Sequence, residues 1–379
     1  MFLKAITIVG TLLGMAYSVL ALWSARKFLL KSRSAVRTNF TPPVSILKPL
    51  CGIDPQSYEN LRSHCVQDYP EFEIIFGVSD PKDPIIPTVE RVINEFPHIP
   101  IRLLLCPETL GLNFKVSNLI QMLPAARRQY LVINDSDISV PSGYLRRVIS
   151  PLIDQSVGLV TCLYRGIASA TLGSKMESLA ISSDFVAGVL CADEVEGGIH
   201  FGLGSTLAFR RSTLDAIGGL APLLDYLADD FEIGQRIFNA GLQVEIADCT
   251  VDHHLPGYSL AGFFEHQLRW ARGIRNSRPA GYAGLVVTFA FPWSVLALIA
   301  SRGENWGWAL VAAVLAFRLA VTFVTGLLVL GDRQVLRDFW LLPIRDFIGL
   351  LLWICSYMGR HVVWRGNRFE LTNGKLREA

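Results

Sequence analysis

The stretch LVINDSDISV, residues Leu131–Val140, joins a short apolar run to a pair of aspartates. The apolar residues predict a buried strand, with Asp135 and Asp137 at its carboxyl end. Because side chains alternate along an extended chain, we expect both carboxylates to point in the same direction. Neighbouring carboxylates repel each other unless a cation lies between them. The pattern therefore indicates a metal site, and the competing interpretation is a loop whose aspartates cap turns.

Apolar segments before this stretch alternate with segments of helical periodicity. Strands are predicted at Val44–Leu50, Phe72–Val78, Ile101–Leu105 and Tyr130–Asn134, and helices at Ser57–Gln67, Thr88–Phe96 and Asn113–Leu123. This alternation predicts an α/β fold with a mostly parallel sheet and helices on both faces. Such sheets bind ligands beyond the carboxyl ends of their strands, and Asp80 and Asp83 follow the second strand.

The pattern continues towards the middle of the chain. Further strands are predicted at Leu159–Leu163, Gly202–Phe209 and Val244–Ala247, and helices at Thr171–Val189, Arg210–Gly218 and Leu227–Ala240. Asp229 and Asp230 open the last of these helices, where carboxylates also suit the positive end of the helix dipole. His253 and His254 follow the last strand and are interpreted either as metal ligands or as solvated loop residues.

An apolar run, Ala5–Trp23, is about as long as the ~20 residues that cross a bilayer. Lys4 precedes this run, and five basic residues follow it: Arg26, Lys27, Lys31, Arg33 and Arg37. The heavier positive flank predicts that the domain after it is cytoplasmic. The run continues through Leu22-Trp23 without a small-residue cleavage site, which favours an uncleaved anchor over a signal peptide.

The C-terminal third is also apolar. Leu260–Arg278 mixes aromatic and basic residues, which predicts an amphipathic helix at a membrane surface, with an ordinary packed helix as the alternative. Three apolar blocks follow, at Tyr282–Ala300, Trp306–Leu330 and Phe339–Met358. Three crossings would put the basic tail on the side opposite the α/β domain, contrary to the positive-inside rule. We therefore expect one block, most simply the third, to be re-entrant or interfacial.

These segments divide the chain into four parts. They are an N-terminal transmembrane anchor with its basic flank (1–38), an α/β catalytic domain (39–258), an amphipathic interface helix (259–280) and a C-terminal membrane region with a basic tail (281–379). The 379 residues are 51% hydrophobic, more than expected of a soluble domain, and the net charge of +2 gives no indication of nucleic acid binding. Seven unclustered cysteines argue against a disulfide framework or zinc site, and there is no Walker A or G-x-G-x-x-G loop.

A nucleotide-type domain between membrane segments suggests a soluble donor, such as a sugar nucleotide, and a membrane-bound acceptor. Its diphosphate calls for a divalent metal, Mg²⁺ or Mn²⁺, which Asp135 and Asp137 would hold through oxygen. Asp230 is placed as a general base for an acceptor hydroxyl. We assign the remaining donor contacts, to base, ribose and phosphate, to Asp80, Asp83 and Lys115.

Several motifs occur in order along the chain. They are VSILKPLCGID at Val44–Asp54, Asp68-Tyr69-Pro70, Asp80–Pro84, GLNFKVSNL at Gly111–Leu119, Asp135, Asp230 and Arg269-Trp270. Together they resemble the ceramide glucosyltransferases and their bacterial relatives in hopanoid-lipid glycosylation, over nearly the whole chain. The resemblance implies a GT-A fold and inversion of configuration with a UDP-sugar donor. It also implies nucleotide binding by Asp83, donor and metal binding by Asp135, a base at Asp230, and closure of the site by Arg269 and Trp270.

Two residues depart from the animal pattern. His266 stands where the family motif Gln/Arg-x-x-Arg-Trp begins with Gln or Arg, and Asp137 completes an Asp-x-Asp that animal ceramide enzymes lack. Both look more like the bacterial hopanoid branch, which transfers N-acetylglucosamine to a polyol side chain. The expected reaction is transfer of one N-acetylglucosamine or glucose from a UDP-sugar to a hydroxyl of a hopanoid polyol or ceramide, in a bacterial inner membrane.

Three alternatives stay open at this point. A processive polysaccharide synthase would need more spans for a polymer channel and a Gln at position 266. A polyprenyl-phosphate glycosyltransferase would need extra basic residues near the bilayer, which Arg272, Arg275 and Arg278 could supply. A non-catalytic membrane scaffold with a degenerate fold is disfavoured by the intact set of carboxylates.

Overall fold

A computed structural model describes residues 2–34 and 39–378; Arg37 and the side chain of Arg33, both in the predicted basic flank, lie outside the described part. The strands are β1 (Val44–Pro49), β2 (Phe72–Val78), β3 (Ile101–Leu105), β4 (Tyr130–Ile133), β5 (Ile138–Ser139), β6 (Val157–Ile167), β7 (Leu207–Arg210), β8 (Gln243–His254), β9 (His361–Trp364), β10 (Asn367–Thr372) and β11 (Lys375–Glu378). The helices are α1 (Phe2–Ser34), α2 (Ser57–Cys65), α3 (Ile86–Glu95), α4 (Phe114–Met122), α5 (Tyr144–Ile149), α6 (Leu172–Ala180), α7 (Val186–Glu196), α8 (Arg211–Ala216), α9 (Asp229–Asn239), α10 (Leu260–Ser277), α11 (Pro279–Gly284), α12 (Ala290–Ala300), α13 (Asn305–Thr322), α14 (Val335–Asp338) and α15 (Leu342–Ser356).

The main sheet has eight strands in the order β3-β2-β1-β4-β7-β6-β8-β5. Strands β3, β2, β1 and β4 pair in parallel, and β6 pairs in parallel with β8. Strands β7 and β5 pair only in the antiparallel sense with their neighbours. The predicted α/β fold with a mostly parallel sheet is therefore confirmed.

Apolar side chains fill both faces of this sheet. Every residue of β1 is buried. Ile46 packs in the cluster that contains Leu61 of α2 and Val89 of α3, whereas its neighbour Leu47 packs on the opposite face with Leu119 of α4. A strand covered by helices on both faces reads as a continuous apolar run, which is why these strands could be predicted closely.

The prediction that Asp135 and Asp137 lie on an extended strand was wrong. Strand β4 ends at Ile133, and the amide of Asn134 turns inward to donate to Ser205 O at 2.6 Å and to the Tyr144 hydroxyl at 2.9 Å. Asp135 and Asp137 therefore lie in a turn between β4 and β5 rather than on an extended strand. Their positions are set by that turn and by the groups around it, not by strand alternation.

Two other strands differ from their predicted bounds. The segment Gly202–Thr206, predicted as strand, forms a turn beside the start of α9, with Gly202 N donating to Asp230 O at 3.2 Å. Strand β8 continues beyond its predicted end at Ala247 as far as His254. Its polar end, including His253, pairs with Gly166 and its neighbours in β6. The backbone of this segment is therefore hydrogen-bonded within the sheet, whereas the sequence predicted a loop.

The chain has three helical segments long and apolar enough to cross a membrane, Phe2–Ser32, Asn305–Val329 and Val335–Ser356, among the described residues. A fourth is formed if Pro279–Thr288 and Ala290–Ala300, which meet at a bend of 49°, act as one span. These segments lie at the predicted apolar blocks, and the chain is a membrane protein by this criterion.

Helix α1 shows which ends of these segments lie together. Near its start, Lys4 Nζ lies 3.3 Å from a carboxylate oxygen of Glu304, in the connection between α12 and α13. Near its other end, Lys27 contacts Glu194 of the α/β domain at 2.8 Å. The α12–α13 connection is therefore at the end of α1 that is distant from the sheet, so α12 runs away from the sheet and α13 runs back.

Helix α15 runs beside α10 and contacts it at both ends. Leu342 at its start packs with Met176 of α6 and Phe263 of α10. At its end, the Arg275 guanidinium donates to Ser356 O. This path is the one expected of an interfacial segment rather than of a crossing helix.

The C-terminal tail forms the antiparallel sheet β11-β10-β9, which the sequence did not predict. This sheet docks on the loop before α9: Leu227 N donates to Gly374 O at 3.0 Å, and Leu376 N donates to Asp225 O at 2.6 Å. A tail hydrogen-bonded to the α/β domain must lie on the same side of the membrane as that domain. We infer that the bent segment and α13 make the two C-terminal crossings and that α15 lies along the interface.

This arrangement predicts the outcome of protease treatment of sealed membrane vesicles. An epitope placed after the C-terminus should be digested together with the α/β domain, whereas an epitope inserted at Gly303 should survive in the same vesicles. Vesicles of inverted orientation serve as the control and should reverse the pattern. A tail epitope that survives while the domain is digested would contradict the docked sheet.

Candidate functional site

A buried lysine supports the turn that carries the aspartates. Lys48, on β1, has a fully buried side chain, and its Nζ donates to Asp135 O at 2.6 Å and to Ile138 O at 3.1 Å. Burial lowers the pKa of Lys48 to about 7, although Asp137 and Asp135 act in the opposite direction. The side-chain nitrogen therefore ties both ends of the turn to the central strand of the sheet.

A second lysine joins two elements that are distant in sequence. Lys115 on α4 lies 2.7 Å from Asp135 Oδ1 and 3.0 Å from Asp229 Oδ2. Burial lowers the pKa of Lys115, but the surrounding carboxylates outweigh that effect and raise it, so this lysine is charged. It bridges the turn after β4 and the start of α9, which places the predicted residues Lys115, Asp135 and Asp230 at one site.

Asp137 has a different cationic partner. Its Oδ2 lies 3.1 Å from His253 Nε2, on β8. Burial raises the pKa of Asp137, but the charge and hydrogen bond of His253 outweigh it and hold the pKa at about 2; the same pair raises the pKa of His253 to about 9. His253 is thus a protonated partner of Asp137, whereas His254 Nε2 contacts the Ser139 hydroxyl at 3.1 Å.

Asp230 lies beside Asp135 across a glycine. Gly204 N donates to Asp230 Oδ2 at 2.7 Å, and Phe231 N donates to Asp230 Oδ1 at 2.8 Å. A Cβ at Gly204 would come within 2.6 Å of Asp135 Oδ2 and 3.2 Å of Asp230 Oδ2. Burial, followed by repulsion from Asp229, raises the pKa of Asp230 to about 6. A carboxylate with that pKa is suited to accept a proton near neutral pH.

The predicted nucleotide-binding aspartates occupy two different positions. Asp83 is buried, and its carboxylate accepts from Gly52 N at 2.9 Å and from Ile85 N at 2.9 Å. Asp80 is exposed and accepts from Lys82 N at 2.8 Å. Asp83 therefore holds the loop between β1 and α2, and any contact it makes with a nucleotide stays a prediction.

That loop also brings a carboxylate that the sequence did not single out. Asp54 Oδ2 accepts from the Ser136 hydroxyl at 2.5 Å, next to the aspartate turn. Burial and the charge of Asp137 raise its pKa, whereas Arg365, in the turn between β9 and β10, lowers it. The C-terminal tail therefore contributes a cation to this edge of the sheet.

The predicted motif residues His266, Arg269 and Trp270 lie on α10 and pack with aromatic residues next to the site. The His266 ring stacks on Tyr258 with centroids 5.2 Å apart and lies 5.2 Å from the Trp270 ring. Burial lowers the pKa of Arg269, whereas Tyr258 and the carboxylate of Glu177 raise it. Ring contacts continue from Trp270 to His253 through two residues, Phe185 and Tyr164.

Several residues of this site escaped sequence reasoning. Lys48 had a detectable signal, because a lysine within a buried strand needs a partner. Asp54 lay inside a motif that drew attention for other residues, and Asp229 was considered only as a charge at the start of a helix. Glu177 and Arg365 had no signal, because they reach the site only through the packing of α6 and the docking of the tail.

The carboxylate oxygens at this turn can bind a divalent ion under one condition. Asp135 and Asp137 offer hard oxygen ligands, and the Asp135 side chain is 38% exposed with Oδ2 directed at Gly204 rather than Lys115. Within residues 2–34 and 39–378, no group of three or more His, Cys, Asp or Glu side chains is arranged to hold a metal. A metal therefore fits here when a ligand such as a diphosphate completes its coordination.

The close approach at Gly204 predicts a specific loss of stability. Gly204→Ala should lower the free energy of unfolding by about 1–3 kcal/mol, because the added methyl must displace two carboxylates. The matched control is Gly143→Ala, where no atom lies within 4 Å of the position that the added methyl would take. Thermal unfolding of both variants in detergent measures the difference, and equal midpoints would refute the close approach.

Comparison with known proteins places this site in a family. The profile of glycosyl transferase family 21 matches residues 6–377. Ceramide glucosyltransferase 1 of Caenorhabditis elegans is 25% identical over 362 residues, covering 89% of this chain and 73% of that relative. The ceramide glucosyltransferase of Komagataella phaffii is 40% identical over 113 residues, which cover 29% of this chain and 22% of that relative.

A solved structure shows the same type of fold. The mannosyltransferase PcManGT from Pyrobaculum calidifontis, in complex with GDP-Man and Mn²⁺, aligns with a TM-score of 0.54 and 20% identity, over 93% of this chain and 99% of that one. This likeness confirms the GT-A type of fold. Because the family profile spans almost the whole sequence, the chain belongs to glycosyl transferase family 21 and is a glycosyltransferase.

Proposed function

We propose that this enzyme transfers one sugar from a UDP-sugar to a hydroxyl group of a membrane lipid, with inversion at the anomeric carbon. The observation that carries the proposal is the pair of carboxylates, Asp135 and Asp230, that flank Gly204. The relatives named ceramide glucosyltransferases support a lipid acceptor. The GDP-Man and Mn²⁺ of the structural neighbour support a nucleotide-sugar donor and a divalent ion.

On this proposal the donor diphosphate lies at the edge formed by Asp135, Asp137 and Lys115. A bound Mg²⁺ or Mn²⁺, held by the two aspartates, would supply Lewis-acid stabilisation of the charge that develops on the diphosphate. Lys115 adds a positive charge, kept in place by Asp229. Lys48 and His253 hold the turn, so that Asp135 and Asp137 stay close despite their mutual repulsion.

Asp230 is the proposed general base. It takes the proton of the acceptor hydroxyl while the hydroxyl oxygen forms a bond to the anomeric carbon and the bond to the diphosphate breaks. One displacement without a covalent intermediate gives a β-linked product from an α-linked donor. Backbone N–H groups of Gly204 and Phe231 fix the carboxylate in place, which favours a single orientation for proton transfer.

The proposed orientation places the α/β domain in the cytoplasm, where UDP-sugars are available. The basic residues after the first apolar run support this orientation by the positive-inside rule. Two of them, Lys27 and Lys31, pair with Glu194 and Glu245 of the domain. A bacterial inner membrane as the location, a hopanoid polyol or ceramide as the acceptor, and N-acetylglucosamine or glucose as the sugar are part of the proposal.

The role of Asp230 predicts a pH profile. Because its pKa is raised to about 6, Asp230 is mostly protonated below that pH, so kcat/KM should fall as pH decreases through about 6. Asp230→Asn should reduce kcat about a hundredfold or more. The control is Asp215→Asn, on the exposed surface of α8, which should keep the wild-type profile. A profile that stays flat through pH 6, or full activity of Asp230→Asn, would refute the assignment.

The overall proposal is tested by product analysis on purified enzyme in lipid vesicles. Labelled UDP-glucose, UDP-N-acetylglucosamine and UDP-galactose are each supplied with ceramide or a hopanoid polyol, and lipids are analysed by mass. We expect one lipid carrying a single sugar, and loss of that product when a chelator removes divalent ions. A water-soluble polymer would contradict the proposed lipid acceptor. A product formed equally well with chelator would contradict the proposed metal.

A further inference from the structure

The C-terminal tail contains two hairpin turns of the same type but of different composition. Asn373 and Gly374 form the turn between β10 and β11, with φ angles of 50° and 77°. Arg365 and Gly366 form the turn between β9 and β10, with φ angles of 51° and 79°. Positive φ at both central residues is typical of a type I′ turn, for which Asn-Gly is the favoured pair. Arg365 therefore occupies a position at which asparagine is the better residue for the fold.

The tail sheet is attached to two elements that carry site residues, α9 and α10. Near Gly374 it is hydrogen-bonded to the loop before α9, and its apolar face packs on Phe114, which precedes Lys115. Strand β9 begins at His361, whose carbonyl oxygen accepts a hydrogen bond from the Arg272 guanidinium of α10. The position of the sheet is therefore fixed from both the start of α9 and the interface helix.

The turn that carries Arg365 is at the opposite end of β10 from the turn that binds the loop before α9. Strand β10 has six residues, so the two turns are about 20 Å apart. Burial raises the pKa of Asp54, and the charge of Arg365 opposes this effect. Burial lowers the pKa of Arg269, and the charge of Arg365 lowers it further. Arg365 thus lies near a carboxylate of the loop after β1 and near a guanidinium of α10.

Arg365 and Arg269 are both cations without a partner in the protein. Neither guanidinium makes a hydrogen bond or an ion pair with any residue in 2–34 or 39–378. Two like charges repel each other unless an anion lies near both. A guanidinium presents its N–H groups in a planar arrangement that binds two phosphate oxygens at once. This part of the site is therefore suited to an anion with phosphate chemistry.

The cations around the aspartate turn, in contrast, are already paired. Lys115 is shared by Asp135 and Asp229. His253 is paired with Asp137. Because these cations balance carboxylates of the protein itself, they leave much of the charge of an added diphosphate uncompensated. The cations best able to compensate it are those that have no carboxylate partner.

We infer that Arg365 binds the diphosphate of the nucleotide-sugar donor, so that the C-terminal tail forms part of the donor site. This inference rests on the proposed nucleotide-sugar donor and adds a residue to its binding site. The guanidinium has five N–H donors and no acceptor, so it can donate hydrogen bonds to several phosphate oxygens. The docked sheet fixes the backbone of the turn, and the long side chain of Arg365 reaches the ligand.

The variant Arg365→Asn separates this role from a structural one, because asparagine is favoured in the turn. We expect the affinity for UDP to fall about tenfold or more, through the loss of a charge-assisted hydrogen bond to phosphate, and the affinity for uridine to change less than about twofold. The midpoint of thermal unfolding should stay equal or rise. Titration of the purified enzyme in nanodiscs of neutral lipid measures both affinities.

Two further variants serve as controls. Arg368→Gln removes a positive charge from β10 of the same sheet, at an exposed residue whose neighbour Phe369 faces the apolar cluster, so that Arg368 faces away from it. This variant should bind UDP as the wild type does. Arg365→Lys keeps the charge but loses the planar pair of N–H groups, and it should recover part of the affinity lost in Arg365→Asn.

Three results separate this inference from the proposed function. If the wild-type enzyme does not bind UDP, the proposed donor fails and the inference fails with it. If the wild type binds UDP and Arg365→Asn binds it equally well, as expected if this arginine binds a lipid phosphate instead, only the inference fails. If Arg365→Asn loses affinity for uridine as much as for UDP, or unfolds at a lower temperature, the residue supports the fold of the tail and the inference is overturned.

Discussion

The site depends on the pairing of crowded carboxylates with buried cations. Asp135, Asp137 and Asp229 lie close enough to repel one another, and each of them is paired with a cationic side chain. Lys115 bridges Asp135 and Asp229, and His253 pairs with Asp137. Lys48 donates hydrogen bonds to backbone carbonyl groups of the same turn. Removal of either Lys115 or His253 would leave a negative charge without compensation inside the site, which is far more costly than the loss of an exposed ion pair.

This pairing also explains the properties of the remaining carboxylate. Asp230 has no lysine or histidine within ion-pair distance in the described chain; its oxygens accept backbone N–H groups instead. Its pKa therefore stays raised by burial and by Asp229, whereas that of Asp137 is held low. Two aspartates at one edge of a sheet thus have opposite tendencies to bind a proton, which suits one to a cation and the other to acid–base chemistry.

The membrane segments are connected to this site through α10 and the tail. Arg275 of α10 binds the end of α15, while the sheet formed by the tail binds the loop that precedes Asp229 and Asp230. Main-chain hydrogen bonds therefore hold the tail sheet against the loop that leads into α9.

Strands β1, β2 and β3, the α/β order, the apolar segments and the grouping of Lys115, Asp135 and Asp230 could all be predicted from the amino-acid sequence. Those features follow from burial on both sheet faces and from the carboxyl ends of parallel strands, which are local or periodic properties of the chain. The pairing of Asp137 with His253, the role of Asp83 in holding a loop, and the approach of Glu177 and the tail to the site emerged only from the folded chain. Each of these depends on a contact between segments more than about thirty residues apart, such as α6 with α10 or β11 with residue 225, and a contact of that kind leaves no periodic pattern in the sequence.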